Sequence, residues 1–215
     1  VASLQNGAKL YINYCMGCHS LEHQRYERMA NDLQIPYEVV IQNLMVTGDK
    51  IGEQMKIAMN KKDAAEWFGT APPDLTLASR VRKNGTDWIY TYLKSFYRDE
   101  NRPYGVNNTV FPSVGMPHVL EDLQGEQVAL FDEIPCEDDA SRTCKKFNKF
   151  ELVKNGSMTP EQYDGAVRDI SNFLHYVGEP IKAERRSMGV YVLMFLLVLF
   201  GLAYLLKKEY WKDVH

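Results

Sequence analysis

Apolar positions recur at helical spacing from the start of the chain. Leu4, Gly7, Ala8, Tyr11 and Ile12 share one face and predict a helix that stops near Cys15. A second helix is predicted over 35–45, where Pro36 suits a first helical position and Val39, Val40, Ile41 and Leu44 supply the apolar side. Short helices are predicted over 50–59 and 63–68. Two consecutive prolines keep Ala71-Pro72-Pro73-Asp74 extended, and Asp74 is then placed to cap a helix over 75–81. Residues 87–97 read as a helix carrying Trp88, Tyr92, Phe96 and Tyr97. Over 101–120 the periodicity is lost and Pro, Gly and Asn accumulate, which predicts a long loop of the kind that usually carries function. Residues 127–153 predict irregular structure with a short hairpin at most. Thr159-Pro160-Glu161-Gln162 is a strong helix start: threonine caps, proline takes the first helical position and glutamine completes a capping box. That helix buries Ala166, Ile170, Phe173, Leu174 and Val177 and is ended by Gly178 and Pro180.

The last element is an uncharged apolar run over 189–206. At ~1.5 Å per residue it reaches ~27 Å, close to the ~30 Å hydrocarbon core of a bilayer. Arg185 and Arg186 border one end, and Lys207, Lys208, Tyr210, Trp211 and Lys212 border the other, as interfacial anchors do. A membrane anchor is therefore expected, with a buried core helix as the alternative. The basic flanks are nearly balanced, so they do not settle orientation. Domains of 1–180, a juxtamembrane linker 181–188, an anchor 189–206 and a tail 207–215 follow. The 215 residues are 45% hydrophobic, and the 12% of aromatics can build a core, which excludes wholesale disorder. A mean hydropathy of -0.35 excludes a chain embedded in the membrane throughout. Net charge is -3 with no basic cluster, which excludes a nucleic-acid binder. From Pro103 to Ser141 there is no Lys or Arg, while Glu121, Asp122, Glu126, Asp132, Glu133, Glu137, Asp138 and Asp139 accumulate. This stretch is either a solvated face or a docking surface for a basic partner.

Cys15-Met16-Gly17-Cys18-His19 is a C-x-x-C-H box, the attachment signal for c-type haem. Two thiols three positions apart reach the two vinyl groups on one porphyrin edge, and the adjacent imidazole turns beneath the iron. A thioredoxin-like pair would want a strand before the motif. A zinc site would want two more ligands at finger-like spacing. Gly7, Tyr11 and Cys15 stand at i, i+4 and i+8, and a glycine on that face lets another helix approach; the helix over 160–177 is the natural crossing partner. For a sixth ligand Met116 is the leading candidate, held in the stiff stretch Pro112-Ser113-Val114-Gly115-Met116-Pro117. A thioether there favours reduced iron. His118 is the alternative ligand, and core filling is the alternative role for Met116. His23 and His175 read as surface or packing residues. Cys136 and Cys144 are expected to form a disulfide, since haem attachment of this kind occurs where disulfides persist; two free thiols are the alternative. With Val1 running straight into helical pattern, the chain reads as either a cytosolic protein or a processed mature chain, and the cysteine chemistry favours the second.

Over nearly its whole length the chain resembles the cytochrome c1 family, the haem subunits of ubiquinol–cytochrome c oxidoreductase. The resemblance rests on Gly-x-x-x-Tyr-x-x-x-Cys-x-x-Cys-His, Ala71-Pro72-Pro73-Asp74-Leu75, Asp87-Trp88-Ile89-Tyr90, Arg102-Pro103-Tyr104-Gly105, Gly115-Met116-Pro117 and a C-terminal anchor. It implies a mainly α haem domain with long loops and one transmembrane helix. It implies one covalent haem c, with thioethers at Cys15 and Cys18 and iron ligands His19 and Met116. Pro72 and Pro73 would pack beside the haem. Arg102 and Asn107 or Asn108 would lie in the segment lining the haem and its propionates. The implied role is electron transfer from the Rieske iron–sulfur protein to a cytochrome c, with no bond-making catalysis in this chain. The implied setting is a dimeric complex with cytochrome b in the bacterial inner membrane, haem domain periplasmic and C-terminus cytoplasmic. An anchored cytochrome of another respiratory complex, a haem enzyme with an open iron site and a haem sensor or assembly module are the competing readings.

Overall fold

A computed structural model describes residues 1–135 and 142–213. It divides into two compact units, Val1–Gly178 and Glu179–His215. About half of the chain is helical.

In the first unit α1 (Ala2–Tyr14) closes at Cys15, whose N–H donates to Tyr11 O at 2.8 Å. After the Cys-x-x-Cys-His turn come β1 (Leu21–Arg25), α2 (Tyr26–Leu33) and α3 (Tyr37–Asn43), which begins directly after Pro36. The helix expected over 50–59 is not formed. That stretch holds β2 (Gln54–Met55), antiparallel to β1. Its backbone is bonded elsewhere: Ile57 N–H donates to Ser20 Oγ at 3.0 Å, and Lys56 O accepts from Thr47 Oγ1 at 2.5 Å. Next is α4 (Lys61–Phe68), N-capped by Asn60 Oδ1, which accepts from Lys62 N–H at 2.8 Å.

The helix expected over 75–81 shortens to α5 (Ala78–Val81). Asp74 does not cap it. One carboxylate oxygen accepts from Thr76 N–H (2.9 Å) and the other from Glu22 N–H on β1 (2.7 Å). α6 (Gly85–Lys94) stops short of 97, and the chain turns into β3 (Phe96–Arg98), paired with β4 (Val106–Asn108) inside the expected loop. α7 (Glu121–Gln124) leads into β5 (Gly125–Pro135), which pairs antiparallel with β6 (Thr143–Asn155). The irregular region expected over 127–153 is thus a long hairpin. Its strands carry lysines opposite acids, a pattern that suits cross-strand pairing. Register places Glu126 against Lys154, Asp132 against Lys146 and Glu133 against Lys145.

α8 (Pro160–Gly178) opens with the expected capping box. Thr159 N–H donates to Gln162 Oε1 at 2.9 Å, and Gln162 N–H to Thr159 Oγ1 at 3.3 Å. It buries the five predicted apolar residues and crosses α1 where both faces are apolar. Gly7 makes the crossing possible: a Cβ there would lie 2.1 Å from Asp169 O and 2.8 Å from Phe173 Cβ. Ser3 and Asn6 fasten the same crossing through Asp169, at 2.6 and 2.8 Å.

The second unit is α9 (Lys182–Tyr210). Within its span 184–210 an 18-residue stretch has a mean hydropathy of 2.5, and the apolar side chains are exposed all round, as in a helix whose solvent is lipid.

Candidate haem site

The box is positioned by the end of α1. His19 N–H and Cys18 N–H both donate to Cys15 O, at 2.9 and 3.1 Å, which coils the five residues into one turn. Cys15 is buried and Cys18 half-buried, and both are free thiols. Burial pushes the Cys15 thiol up to about 12. Met16 is buried in the main core, where Tyr26 Oη contacts its sulfur at 3.7 Å. The buried Tyr11 hydroxyl donates to His19 O at 2.6 Å and so ties α1 to the far end of the box.

His19 is buried, and its Nδ1 lies 2.7 Å from Pro73 O. With Nδ1 as the protonated nitrogen, Nε2 keeps its lone pair for a metal. Burial holds the imidazole below the ordinary histidine range, against the raising effects of Pro73 O and Asp74, so the ligand form is favoured. The Pro73 carbonyl is presented by the extended Ala71-Pro72-Pro73-Asp74 segment, which Leu75 N–H fastens to Ser20 O at 3.0 Å. Pro72 is half-buried beside a small cleft that Ser20, Ile57 and Met59 also line, and Pro73 is exposed.

Met116 is built into a different cluster. It packs, half-buried, against Phe96, Val106 and Val114. Tyr92 Oη donates to its sulfur at 3.4 Å. The loop is pinned from outside: Arg102 Nη2 donates to Ser113 O (2.8 Å) and Val114 O (3.3 Å), and Ser113 N–H donates to Asn107 Oδ1 (2.9 Å). Asn108 Nδ2 donates to Tyr92 O at 2.8 Å, and its Oδ1 accepts from Val110 and Phe111 N–H. His118 is committed elsewhere. Its ring stacks on Phe96 at 4.8 Å and 4°, Nε2 lies 2.7 Å from Gln124 Oε1, and burial pushes it down to about 4. Tyr92, pushed up to about 12 by burial, packs against both the main core and the Met116 cluster.

These residues fit a haem. Cys15 and Met16 of the box belong to the main core and Met116 packs on the smaller cluster, and Tyr92 packs against both. Arg102 Nε is buried without a hydrogen-bond partner, a donor that a propionate carboxylate would satisfy. Among the described residues no three His, Cys, Asp or Glu side chains cluster as a protein-built metal cage would require. The sequence pattern marks Tyr11 but not the contact of Tyr92 with Met116 or the Pro73 carbonyl; the Trp88/Tyr92/Phe96 spacing at i, i+4 and i+8 is the visible signal for Tyr92.

The acidic stretch is partly spent within the fold. Glu126 pairs with Arg98 at 2.7 Å, and Asp132 accepts from Asn148 at 3.0 Å opposite Lys146. Glu137, Asp138 and Asp139 lie outside the described residues, as does Cys136 of the expected disulfide.

A Cys-x-x-Cys-His turn at the foot of a helix that crosses the C-terminal helix of its unit, followed by one long apolar helix, is the make-up of an anchored c-type cytochrome. The chain belongs to the cytochrome c1 family, whose model (Cytochrome C1 family) matches residues 1–214. It is 56% identical over 214 residues to cytochrome c1 of Allochromatium vinosum, covering 100% of this chain and 85% of that protein. It is 44% identical over 213 residues to the ammonia monooxygenase gamma subunit of Nitrosomonas europaea, covering 99% and 84%. A cytochrome b/c1 of Bradyrhizobium diazoefficiens matches at 24% identity over 259 residues, 99% of this chain and 33% of that protein. Proteins of this family bind haem c. They serve respiratory electron transport as membrane-associated subunits of ubiquinol–cytochrome c oxidoreductase, the cytochrome bc1 complex, with cytochrome b.

Proposed function

We propose that this chain carries single electrons from the Rieske iron–sulfur protein to a cytochrome c within a bacterial cytochrome bc1 complex. One haem c would be held by thioethers at Cys15 and Cys18, with His19 Nε2 and Met116 Sδ as iron ligands. The observation that carries the reading is the His19–Pro73 hydrogen bond directly after the two cysteines: it fixes the tautomer and orientation an axial imidazole needs. The bound group supplies a one-electron redox centre. The chain's own residues do the rest. Pro73 O holds the His19 proton at Nδ1. Arg102 Nε would be available to a propionate, while its Nη2 holds the loop that carries Met116. Phe96, Val106 and Val114 keep water from the methionine sulfur.

The name cytochrome b/c1 on the Bradyrhizobium relative supports cytochrome b as the membrane partner. The anchor then sits in the inner membrane, with the haem domain periplasmic, the tail cytoplasmic and the complex dimeric. A Cys136–Cys144 bridge would close the β5–β6 hairpin. A second reading, subunit of another respiratory complex, is favoured by the ammonia monooxygenase name of the Nitrosomonas relative. Co-purification from native membranes separates the two: cytochrome b and a Rieske protein support the first reading, and a monooxygenase supports the second.

Haem staining of a denaturing gel and reduced spectra with and without CO test the ligand set. We expect haem retained by the denatured band, no CO binding by the native protein, and rapid CO binding by Met116→Leu. Haem lost on denaturation, or a Met116→Leu variant that stays closed to CO, would overturn it.

A further inference from the structure

The Met116 sulfur has a second contact besides the one the iron would take. Tyr92 stands on α6 four residues after Trp88. Its ring stacks on Trp88 at 4.8 Å and 15° and meets Phe96 edge-on at 5.1 Å. Phe111 closes on it at 6.4 Å, and Asn108 Nδ2 holds its carbonyl at 2.8 Å. A phenol fixed on these sides has little freedom to turn, and its hydroxyl reaches Met116 Sδ at 3.4 Å.

We propose that Tyr92 is a positioning residue for the ligand methionine: its hydroxyl occupies one sulfur lone pair and directs the other to the iron. This rests on Met116 being the sixth ligand. A thioether sulfur has two lone pairs and can donate from either, so the hydrogen bond selects one geometry. It also draws electron density from the sulfur. A weaker donor stabilises ferric iron less, so the hydrogen bond favours the ferrous state and raises the potential. A packing role alone would need only the ring.

Tyr92→Phe keeps the ring and removes the hydroxyl, so it separates the two roles. In the full-length, haem-loaded, detergent-solubilised protein we expect a lower midpoint potential. At the potential where the wild type is half reduced, the ferric-to-ferrous ratio should rise roughly two- to tenfold, the range one neutral hydrogen bond covers. Displacement of the methionine by imidazole from the ferric protein should also speed up. An unchanged midpoint with an unchanged displacement rate overturns the proposal. Met116→Leu, measured alongside, keeps the two assignments distinguishable. If that variant stays closed to CO, the ligand assignment fails; if it opens while Tyr92→Phe changes nothing, only the role of Tyr92 fails. Should Tyr92→Phe not accumulate with haem, NMR of the wild-type ferrous protein decides. A nuclear Overhauser contact between the Tyr92 hydroxyl proton and the ring-current-shifted Met116 methyl supports the proposal, and its absence overturns it.

Discussion

Asp164 on α8 shows how a single carboxylate can fasten two helices and make the joint sensitive to acid. It accepts from the Lys94 ammonium and the Tyr90 hydroxyl, both on α6. Those hydrogen bonds, Lys94's first, hold its carboxyl below the ordinary aspartate range. A carboxylate whose folded pKa lies below its unfolded value contributes stability above the unfolded value, and that contribution is lost as pH falls through the folded one. The side chain is 41% exposed, so solvent screening keeps the contribution under about 1 kcal/mol. Asp164→Asn should therefore lower the thermal midpoint modestly at pH 7, and the gap to the wild type should close below about pH 4. Melting curves at pH 7 and pH 3 check this; a gap of equal size at both would assign the effect to packing instead. The contrast with His19 is instructive. There the partner is the Pro73 carbonyl, which does not titrate, so the orientation of the proposed ligand is insulated from pH on the carbonyl side.

Between elements, the α1–α8 crossing carries the box. α1 ends in Cys15, so any shift of α1 against α8 moves both cysteines and His19. Gly7→Ala pits two effects against each other. Alanine gains about 1 kcal/mol of helix propensity over glycine. The added Cβ, however, would sit 2.1 Å from a backbone oxygen, which cannot yield as a side-chain tip would. Overpacking of this kind costs about 1–3 kcal/mol or more, so the clash should win. We expect a thermal midpoint lower by several degrees and a smaller haem-loaded fraction on expression; a variant at least as stable as the wild type would refute the close-packed crossing. This crossing was legible in the sequence because its signals are local: Gly7, Tyr11 and Cys15 on one face, and a capping box at Thr159. The same holds for the apolar run behind α9. The β1–β2 pair was not legible, since Ile51 and Met55 imitate a helix face while the backbone is bonded to distant partners, Ile51 O to Glu27 N–H, Glu53 O to Tyr26 N–H and Ile57 N–H to Ser20 Oγ. The long hairpin was hidden for a related reason. Its strands show little alternation, and their pairing is readable only once β5 acids are set against β6 lysines. At the site, cysteines, histidine and methionine are chemically singular and could be named. The Pro73 carbonyl could not, because every residue has one and only the fold aims it.

For the molecule as a whole, the residues assigned to the haem all lie in the unit Val1–Gly178: the box, the Pro73 carbonyl, Arg102, Tyr92 and Met116. The buried residues of the main core, from Ala8 to Val177, lie there as well. The unit Glu179–His215 adds an exposed apolar surface suited to lipid, and among the described residues the main core draws on the first unit. The long apolar helix and the residues proposed to hold the haem thus lie on separate stretches of chain. A chain ended after Gly178, exported and matured with haem, should then be recovered without detergent. It should keep the reduced spectrum of the full-length protein and its closure to CO, because the proposed ligands and the side chains around them all lie before Gly178. The measurement is a spectrum of the detergent-free periplasmic fraction beside that of the solubilised full-length chain. A truncated chain that accumulates without haem, or binds CO, would mean that 179–215 helps to hold the site and that the division at Gly178 is not functional.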